Sequence, residues 1–146
     1  MTETDPKSLA RSAASALLER FGIEAIDLAL VLGSGWSGAA VGLGEAIGEC
    51  ELADLPGFAK PVVAGHGGAL KLIRTSAGKT AALFTGRTHF YEGRGVEPVV
   101  HGVRTAAAAG AKMILLTNGC GGLNPDWAPG TPVLIRDHIN LTNASP

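Results

Sequence analysis

The sequence predicts an α/β fold in which helices flank a mixed central β-sheet. Apolar runs of strand length alternate along the chain with segments of helical periodicity, which is the pattern of α/β proteins. Two of these runs, residues 69–75 and 79–85, are separated only by Ser76-Ala77-Gly78, a short turn that predicts a β-hairpin. A hairpin pairs its strands antiparallel, so the sheet is expected to be mixed. At 146 residues the chain is expected to form a single α/β domain, residues 1–146.

The first predicted element is a helix that begins after Asp5. The Asp5 side chain is suited to cap the first helical amides, and Pro6 is suited to the first helical position. Apolar residues recur at four-residue spacing from Leu9 to Phe21, which places them on one face of a helix. Gly22 then predicts the end of the helix, because glycine readily adopts the left-handed conformation found there.

Further strands are predicted where apolar residues follow one another almost without interruption. Residues 26–32 and 113–117 have this pattern, which is typical of strands buried on both faces. A second helix is predicted from about Val96 to Gly110, where valines recur at helical spacing. A last strand is predicted at residues 131–136, after a turn.

Three predicted strands end in glycine-rich or polar loops. These loops are Gly33-Ser34-Gly35, Thr85-Gly86-Arg87 and Asn118-Gly119. If the three strands are parallel neighbours, the loops share the carboxyl edge of the sheet, where ligands bind in open α/β folds. We therefore expect the loops to surround one ligand.

Charge and cysteine content exclude several classes of protein. The net charge of −1 gives no electrostatic basis for binding nucleic acid or an anionic membrane. Cys50 and Cys120 follow no metal or redox spacing, and reduced thiols are typical of cytosolic proteins. The first residues do not resemble a signal peptide, and no apolar run approaches the ~20 residues that span a bilayer. We expect a cytoplasmic protein without a metal site and without nucleic-acid or membrane partners.

The segment 86–93 carries the densest group of candidate site residues. Arg87, His89 and Tyr91 alternate at period two, so an extended backbone places all three on the same side. The forked donors of a guanidinium match the geometry of phosphate or carboxylate. The segment therefore predicts an anion site, with a solvated loop in which Arg87 pairs with Glu92 as the alternative.

Residues 33–38 match G-x-G-x-x-G after a strand, which is the fingerprint of dinucleotide-binding domains. That fingerprint also requires a helix and then a buried strand that ends in an acidic residue. The glycines of residues 39–44 disfavour a helix, and no buried strand leads into Glu49 or Glu51. A loop that holds a bare phosphate through its amides and the Ser34 hydroxyl fits better. A plain turn between elements is the remaining alternative.

Other polar residues are weighed one at a time. His66 lies among glycines in a predicted loop and is a candidate site residue, whereas His101 is expected to be structural within the second helix. His138 is assigned no catalytic role. The Gly119 amide is suited to contact an anion, and Cys120 is expected to pack as a small residue because no base partner is evident.

Five segments, in this order along the chain, resemble the trimeric purine nucleoside phosphorylase family. They are Gly33-Ser34-Gly35, Gly65-His66-Gly67, residues 86–93, residues 117–125 and residues 134–140. The resemblance extends from about residue 25 to the end of the chain. Methylthioadenosine phosphorylases are relatives that match less well, because they typically have Thr at the position of Ser34 and lack Phe90-Tyr91-Glu92.

The resemblance implies a phosphorylase/hydrolase-like α/β fold, usually as a homotrimer. It implies reversible phosphorolysis of purine ribo- and deoxyribonucleosides, which yields the free purine and (deoxy)ribose 1-phosphate, with inorganic phosphate as co-substrate and no cofactor. The implied catalytic residues are His66 and His89. The implied phosphate-binding residues are Ser34, His66, Arg87, His89 and Gly119, the implied ribose contacts are Tyr91 and His89, and Asn118 is implied to hold the Gly119 loop.

The chain departs from the family in length and in two residues. Family members are considerably longer, and their purine-binding residues lie in the part that has no counterpart here. Trp36 and Cys120 stand where the family usually has smaller residues. We therefore expect residues 1–146 to be the N-terminal part of a longer phosphorylase domain, incomplete at its C-terminus and inactive alone. A dinucleotide-binding domain and a non-catalytic phosphate-binding fragment are the alternatives.

Overall fold

The computed structural model describes residues 5–33, 35–59 and 68–146, and its central feature is a five-stranded sheet. Within those ranges the elements are α1 (Pro6–Phe21), β1 (Leu28–Val31), β2 (Glu45–Glu51), β3 (Ala69–Arg74), β4 (Thr80–Phe84), α2 (Glu97–Ala108) and β5 (Met113–Leu116). Short 3-10 turns lie at Ser37–Ala40, Leu52–Asp54 and Phe90–Glu92. The predicted α/β class is confirmed.

The strand order of the sheet is β2-β3-β4-β1-β5. Strand β1 pairs in parallel with β4 on one side and with β5 on the other. Strands β2, β3 and β4 pair antiparallel, β3 and β4 forming the predicted hairpin. The sheet is therefore mixed, and the loops that follow β1, β4 and β5 all leave its carboxyl edge, as the sequence predicted.

Helix α1 has the caps that its sequence predicts. The Asp5 carboxylate accepts hydrogen bonds from the main-chain amides of Lys7 (3.4 Å) and Ser8 (3.0 Å). Gly22 ends the helix at φ 61°, in the left-handed region where a side chain is disfavoured. The buried face of α1 consists of Ala10, Ala13, Ala14 and Leu17. The local signals therefore agree with the packing, because the apolar face of α1 is the one that is buried.

Both α-helices pack on the same face of the sheet. The core on this face joins residues of α1 and α2 to alternate residues of β1, β3 and β4, the largest being Leu17, Leu70, Leu72 and Phe84. On the other face, Leu32, Ile73, Ala81 and Leu83 form a smaller cluster, against which Ala40 packs from a 3-10 turn. Burying one side chain such as Phe84 contributes roughly 1.5–3 kcal/mol. The central strands are thus covered on both faces, which explains their nearly continuous apolar sequence.

His101 has the structural role that the sequence predicts. Its side chain is buried on α2, with Nε2 2.9 Å from the main-chain oxygen of Pro56. Its ring lies edge-on to Phe58 with 4.6 Å between centroids. These contacts dock the 52–58 segment against α2. Along the described part of the chain, no helix is long and apolar enough to cross a membrane.

Three expectations about strands are wrong. Strand β5 was predicted to be buried on both faces, but it lies at the edge of the sheet and is largely exposed, with Leu116 at 61%. Strand β2 was not predicted, because it lies at the edge of the sheet and, of its residues, Cys50 is the buried one, so apolar alternation is weak. The strand predicted at residues 131–136 is not formed, and the apolar side chain of Leu134 is 94% exposed. A strand needs a neighbour to pair its main-chain amides and carbonyls. No described segment pairs with residues 131–136.

Candidate functional site

The three predicted loops meet at Thr117, which directly follows β5. The main-chain amide of Gly33, after β1, donates a hydrogen bond to the Thr117 hydroxyl oxygen at 2.9 Å. The Nη1 atom of Arg87, after β4, donates to the Thr117 main-chain oxygen at 3.0 Å. The strand order explains this meeting, because β1 lies between β4 and β5 and all three run in parallel. The structure therefore brings Gly33 and Arg87 together at the carboxyl edge.

Gly33 is required by the close approach of its neighbours. A Cβ atom at this position would lie 2.6 Å from the Thr117 main-chain oxygen, 2.8 Å from Arg87 Nη1 and 3.0 Å from the Asn118 Cα. Such distances are well inside van der Waals contact, which for carbon is about 3.5 Å. Glycine at this position lets the loop after β1 lie directly against Arg87 and the loop after β5.

Arg87 does not pair with Glu92, so the solvated-loop alternative is wrong. The Glu92 carboxylate instead accepts a 2.7 Å hydrogen bond from the His89 amide and lies 3.7 Å from Arg94 Nε. Arg87 is half-buried, and its guanidinium is turned toward the sheet edge. A guanidinium has five donors, and the bond to Thr117 uses one. The arrangement presents a fixed positive charge at this edge.

His89 and Tyr91 lie together, although not on an extended strand as expected. His89 is extended, but residues Phe90–Glu92 form a 3-10 turn. The His89 and Tyr91 rings stack at 4.8 Å between centroids with 13° between planes. Tyr91 is 83% exposed, so its hydroxyl and ring face solvent beside the site. The predicted grouping of these two residues is thus observed, with turn geometry in place of alternation.

Ser34 and His66 both lie outside the described residues. Gly68, directly before β3, touches the loop that carries Arg87. A Cβ atom added to Gly86 would lie 2.7 Å from the Gly68 Cα. The residue that precedes Arg87 in the chain is thus in close contact with the start of β3.

The segment after Thr117 is exposed. Asn118 and Gly119 follow Thr117 directly and lie at the same edge of the sheet. Cys120 is exposed, so the expectation that it packs as a small residue is wrong. The other cysteine, Cys50, is buried, and burial raises the pKa of its thiol. The described residues contain no group of three His, Cys, Asp or Glu side chains that could hold a metal ion.

The dinucleotide alternative does not fit the topology. After Gly35 the chain makes a single 3-10 turn at Ser37–Ala40 and enters β2, which is antiparallel to β3. A dinucleotide-binding unit needs a full helix and then a parallel strand beside the first. Gly33 is therefore explained by its close approach to Thr117 and Arg87, and Gly35 by its φ of 83°, rather than by a pyrophosphate-binding helix.

A family model described as "Phosphorylase superfamily" matches residues 27–146. The chain belongs to the phosphorylase superfamily. It is 54% identical to the purine nucleoside phosphorylase of Cellulomonas sp, an alignment that covers 98% of this chain and 52% of that protein. It is 52% identical to the purine nucleoside phosphorylase of Mycobacterium leprae, over 99% of this chain and 54% of that protein. The chain thus spans about half the length of the relatives it matches.

Solved structures agree with this assignment of the superfamily fold. The Schistosoma mansoni purine nucleoside phosphorylase in complex with inosine has a TM-score of 0.71 at 26% identity, over 83% of this chain and 41% of that one. Isoform 2 from the same organism, in complex with cytosine and ribose-1-phosphate, has a TM-score of 0.70 at 28% identity, over 81% and 40%. The resemblance to purine nucleoside phosphorylases that the sequence motifs indicated is confirmed.

Sequence reasoning missed the role of Thr117. The residue was placed at the end of a predicted strand and within a family-like motif, without a function of its own. Its hydroxyl and its main-chain oxygen turn out to join the loops after β1 and β4. The sequence feature that could have indicated this role is the position of Thr117 at the end of an apolar run, where a hydroxyl can form a hydrogen bond to a neighbouring strand. Strand order was needed to show which strand that is.

Proposed function

We propose that this chain contributes the phosphate side, and part of the ribose side, of a purine nucleoside phosphorylase active site. The reaction is the reversible phosphorolysis of purine ribo- and deoxyribonucleosides to free purine and (deoxy)ribose 1-phosphate. The observation that carries the proposal is the half-buried Arg87 guanidinium, held against Gly33 and Thr117 at the carboxyl edge of three parallel strands. A fixed cation with forked donors at that edge suits a tetrahedral oxyanion.

The chemistry of the reaction explains why such donors are needed. Cleavage of the glycosidic bond leaves positive charge on the sugar, and a phosphate anion beneath the ring stabilises that charge. The protein must hold phosphate in place while leaving it anionic, which preorganised donors achieve. We assign phosphate binding to Ser34, His66, Arg87, His89 and the Gly119 amide. Tyr91 and His89 contact the ribose, and His66 and His89 assist catalysis.

Relatives support the substrate assignment. The similar proteins from Cellulomonas sp and Mycobacterium leprae are purine nucleoside phosphorylases, and the similar Schistosoma mansoni structures contain inosine or ribose-1-phosphate. Because these proteins are about twice as long as the chain, residues 1–146 are proposed to form one α/β part of a longer phosphorylase domain. The complete protein is proposed to be a cytoplasmic homotrimer of purine salvage that uses inorganic phosphate and no cofactor.

Arg87 provides the decisive test of the proposed function. Residues 1–146 are joined to the remaining part of the Cellulomonas sp relative, and phosphorolysis of inosine is followed by the release of hypoxanthine. Losing a hydrogen bond to a charged group costs about 1.5–3 kcal/mol, so Arg87→Ala is expected to raise the phosphate KM roughly 10- to 100-fold. The inosine KM is expected to change far less, because Arg87 faces the phosphate.

Arg11→Ala is the matched control. Arg11 is exposed on α1 and pairs at the surface with Asp5, so its loss is expected to leave both KM values unchanged. A phosphate KM that is unchanged in Arg87→Ala contradicts the role of Arg87. A folded wild-type chimera that releases no hypoxanthine contradicts the proposed function itself. The 146-residue chain alone is expected to bind phosphate in a calorimetric titration and to release no hypoxanthine.

A further inference from the structure

Thr117 makes four hydrogen bonds that join the ends of three strands. Its main-chain amide and its hydroxyl both donate to the main-chain oxygen of Val31, each at 3.0 Å. Its hydroxyl oxygen accepts from the Gly33 amide at 2.9 Å, and its main-chain oxygen accepts from Arg87 Nη1 at 3.0 Å. Val31 ends β1 and Gly33 lies in the loop after it, Arg87 follows β4, and Thr117 itself follows β5.

The chemistry of a hydroxyl group is suited to this position. One hydroxyl can donate a single hydrogen bond and accept others, and here it donates to Val31 while it accepts from Gly33. The branched Cβ of threonine restricts its χ1 angle, which holds the hydroxyl in this direction. Thr117 is half-buried, so water competes with these bonds less than at an exposed site.

We propose that Thr117 is a positioning residue for phosphate: its hydroxyl holds the loop after β1, and its main-chain oxygen orients the Arg87 guanidinium. This inference rests on the proposed function, in which Arg87 contacts phosphate beside Gly33. Thr117 acts through these groups rather than by touching the substrate. Without the hydroxyl, the Gly33 amide loses its acceptor and the loop is free to move away from Arg87.

Thr85 is a matched comparison that separates positioning from general stability. Its hydroxyl also makes two main-chain bonds, accepting from the Ala69 amide at 3.1 Å and donating to the Ala69 oxygen at 3.0 Å. It is half-buried and follows β4 at the same edge of the sheet. These bonds join β3 to β4 and involve neither Gly33 nor Arg87. Thr85→Val therefore removes an equivalent pair of bonds without releasing the loop after β1.

The test measures the binding of inorganic phosphate to the 146-residue chain by calorimetry. Thr117→Val is expected to weaken binding about tenfold, the equivalent of about 1.4 kcal/mol, which is within the usual contribution of a hydrogen bond. Thr117→Ser keeps the hydroxyl and is expected to stay within about twofold of the wild type, since both bonds can re-form. Thr85→Val is expected to lower the melting temperature as Thr117→Val does, with phosphate affinity near that of the wild type.

Amide hydrogen exchange supplies a second, local measurement. The Gly33 amide is expected to exchange faster in Thr117→Val than in the wild type and Thr117→Ser, because its acceptor is gone. If Thr117→Val does not fold, Thr117→Ala removes the same hydroxyl without placing a methyl group against the main chain. Equal phosphate affinity in the wild type and the hydroxyl-free variant, or an equal loss in Thr85→Val, overturns the proposal.

The failure of the positioning role can be distinguished from the failure of the proposed function. In the chimera with the Cellulomonas sp relative, Thr117→Val is expected to raise the phosphate KM and to leave the inosine KM nearly unchanged. If the chimera has no activity but phosphate binding still depends on the Thr117 hydroxyl, the proposed function fails and the positioning role stands. If the wild-type chain binds no phosphate, the positioning role is overturned.

Discussion

Replacing Gly33 by alanine tests the meeting of the three loops directly. The added Cβ would lie 2.6 Å from the Thr117 main-chain oxygen and 3.0 Å from the Asn118 Cα, and neither atom belongs to a flexible side chain. The third contact, 2.8 Å from Arg87 Nη1, involves the guanidinium itself. The loop after β1 must therefore move away from β5, and Arg87 must turn.

The expected cost follows from these contacts. Overpacking of a closely packed site costs about 1–3 kcal/mol. Replacing glycine by alanine also restricts the unfolded chain, which returns about 0.4–1 kcal/mol. We expect Gly33→Ala to lower the free energy of unfolding by about 1–2 kcal/mol net. At about 2–4 °C per kcal/mol for a chain near this size, the melting temperature falls by roughly 2–8 °C.

Gly38→Ala provides the control, because a Cβ at Gly38 has no heavy atom within 4 Å. It is expected to leave the free energy of unfolding unchanged or slightly higher, so only Gly33→Ala should be destabilised. Thermal unfolding and calorimetric titration with phosphate measure both consequences, and phosphate affinity is expected to fall in Gly33→Ala alone. Equal stability and equal phosphate affinity in the two variants would refute the reasoning, since the close approach at Gly33 would then have no effect.

Three further predictions concern other parts of the fold. The Thr80 amide donates a 2.8 Å hydrogen bond to the Asp27 carboxylate. This bond is the main reason that the pKa of Asp27 lies below its ordinary value. Because the pKa of Asp27 is lower in the folded protein than in the unfolded chain, the ionised carboxylate stabilises the fold at pH values above the unfolded pKa. This stabilisation is lost as the pH falls through the folded pKa. Asp27→Asn is therefore expected to lower stability to urea at pH 7, and the difference should vanish in strong acid; a constant difference contradicts this. His101→Ala, which removes a buried ring and its hydrogen bond, is expected to cost about 2–4 kcal/mol in urea unfolding, and a cost under about 0.5 kcal/mol contradicts the structural role. With a thiol reagent, exposed Cys120 is expected to react at once and buried Cys50 only on unfolding, so equal rates contradict the packing.

Most of the regular elements could be predicted because their signals are local. The caps at Asp5 and Gly22 and the apolar face of α1 are confirmed. The turn at residues 76–78 correctly predicts the hairpin of β3 and β4. Each of these features depends on residues only a few positions apart, so the sequence pattern contains the whole cause.

The errors arise where a partner decides the structure. Strand β2 is formed by antiparallel pairing with β3, although its own residues are mostly exposed and show little alternation. Residues 131–136 have a strand-like sequence but no paired neighbour among the described residues. Strand propensity is in large part a preference for a pleated, packed surface, so it cannot decide alone whether a strand forms.

The sequence by itself determined the fold class, the superfamily resemblance and the residue types at the candidate site. It indicated residues 86–93 as a candidate anion site and placed glycine-rich or polar loops after three strands, because these are properties of short segments. Only the tertiary structure decided that Arg87 bonds Thr117 rather than Glu92. The physical reason is the strand order: β1 lies between β4 and β5, all three parallel, and this arrangement brings residues 30 and 84 positions distant from Thr117 within hydrogen-bond reach.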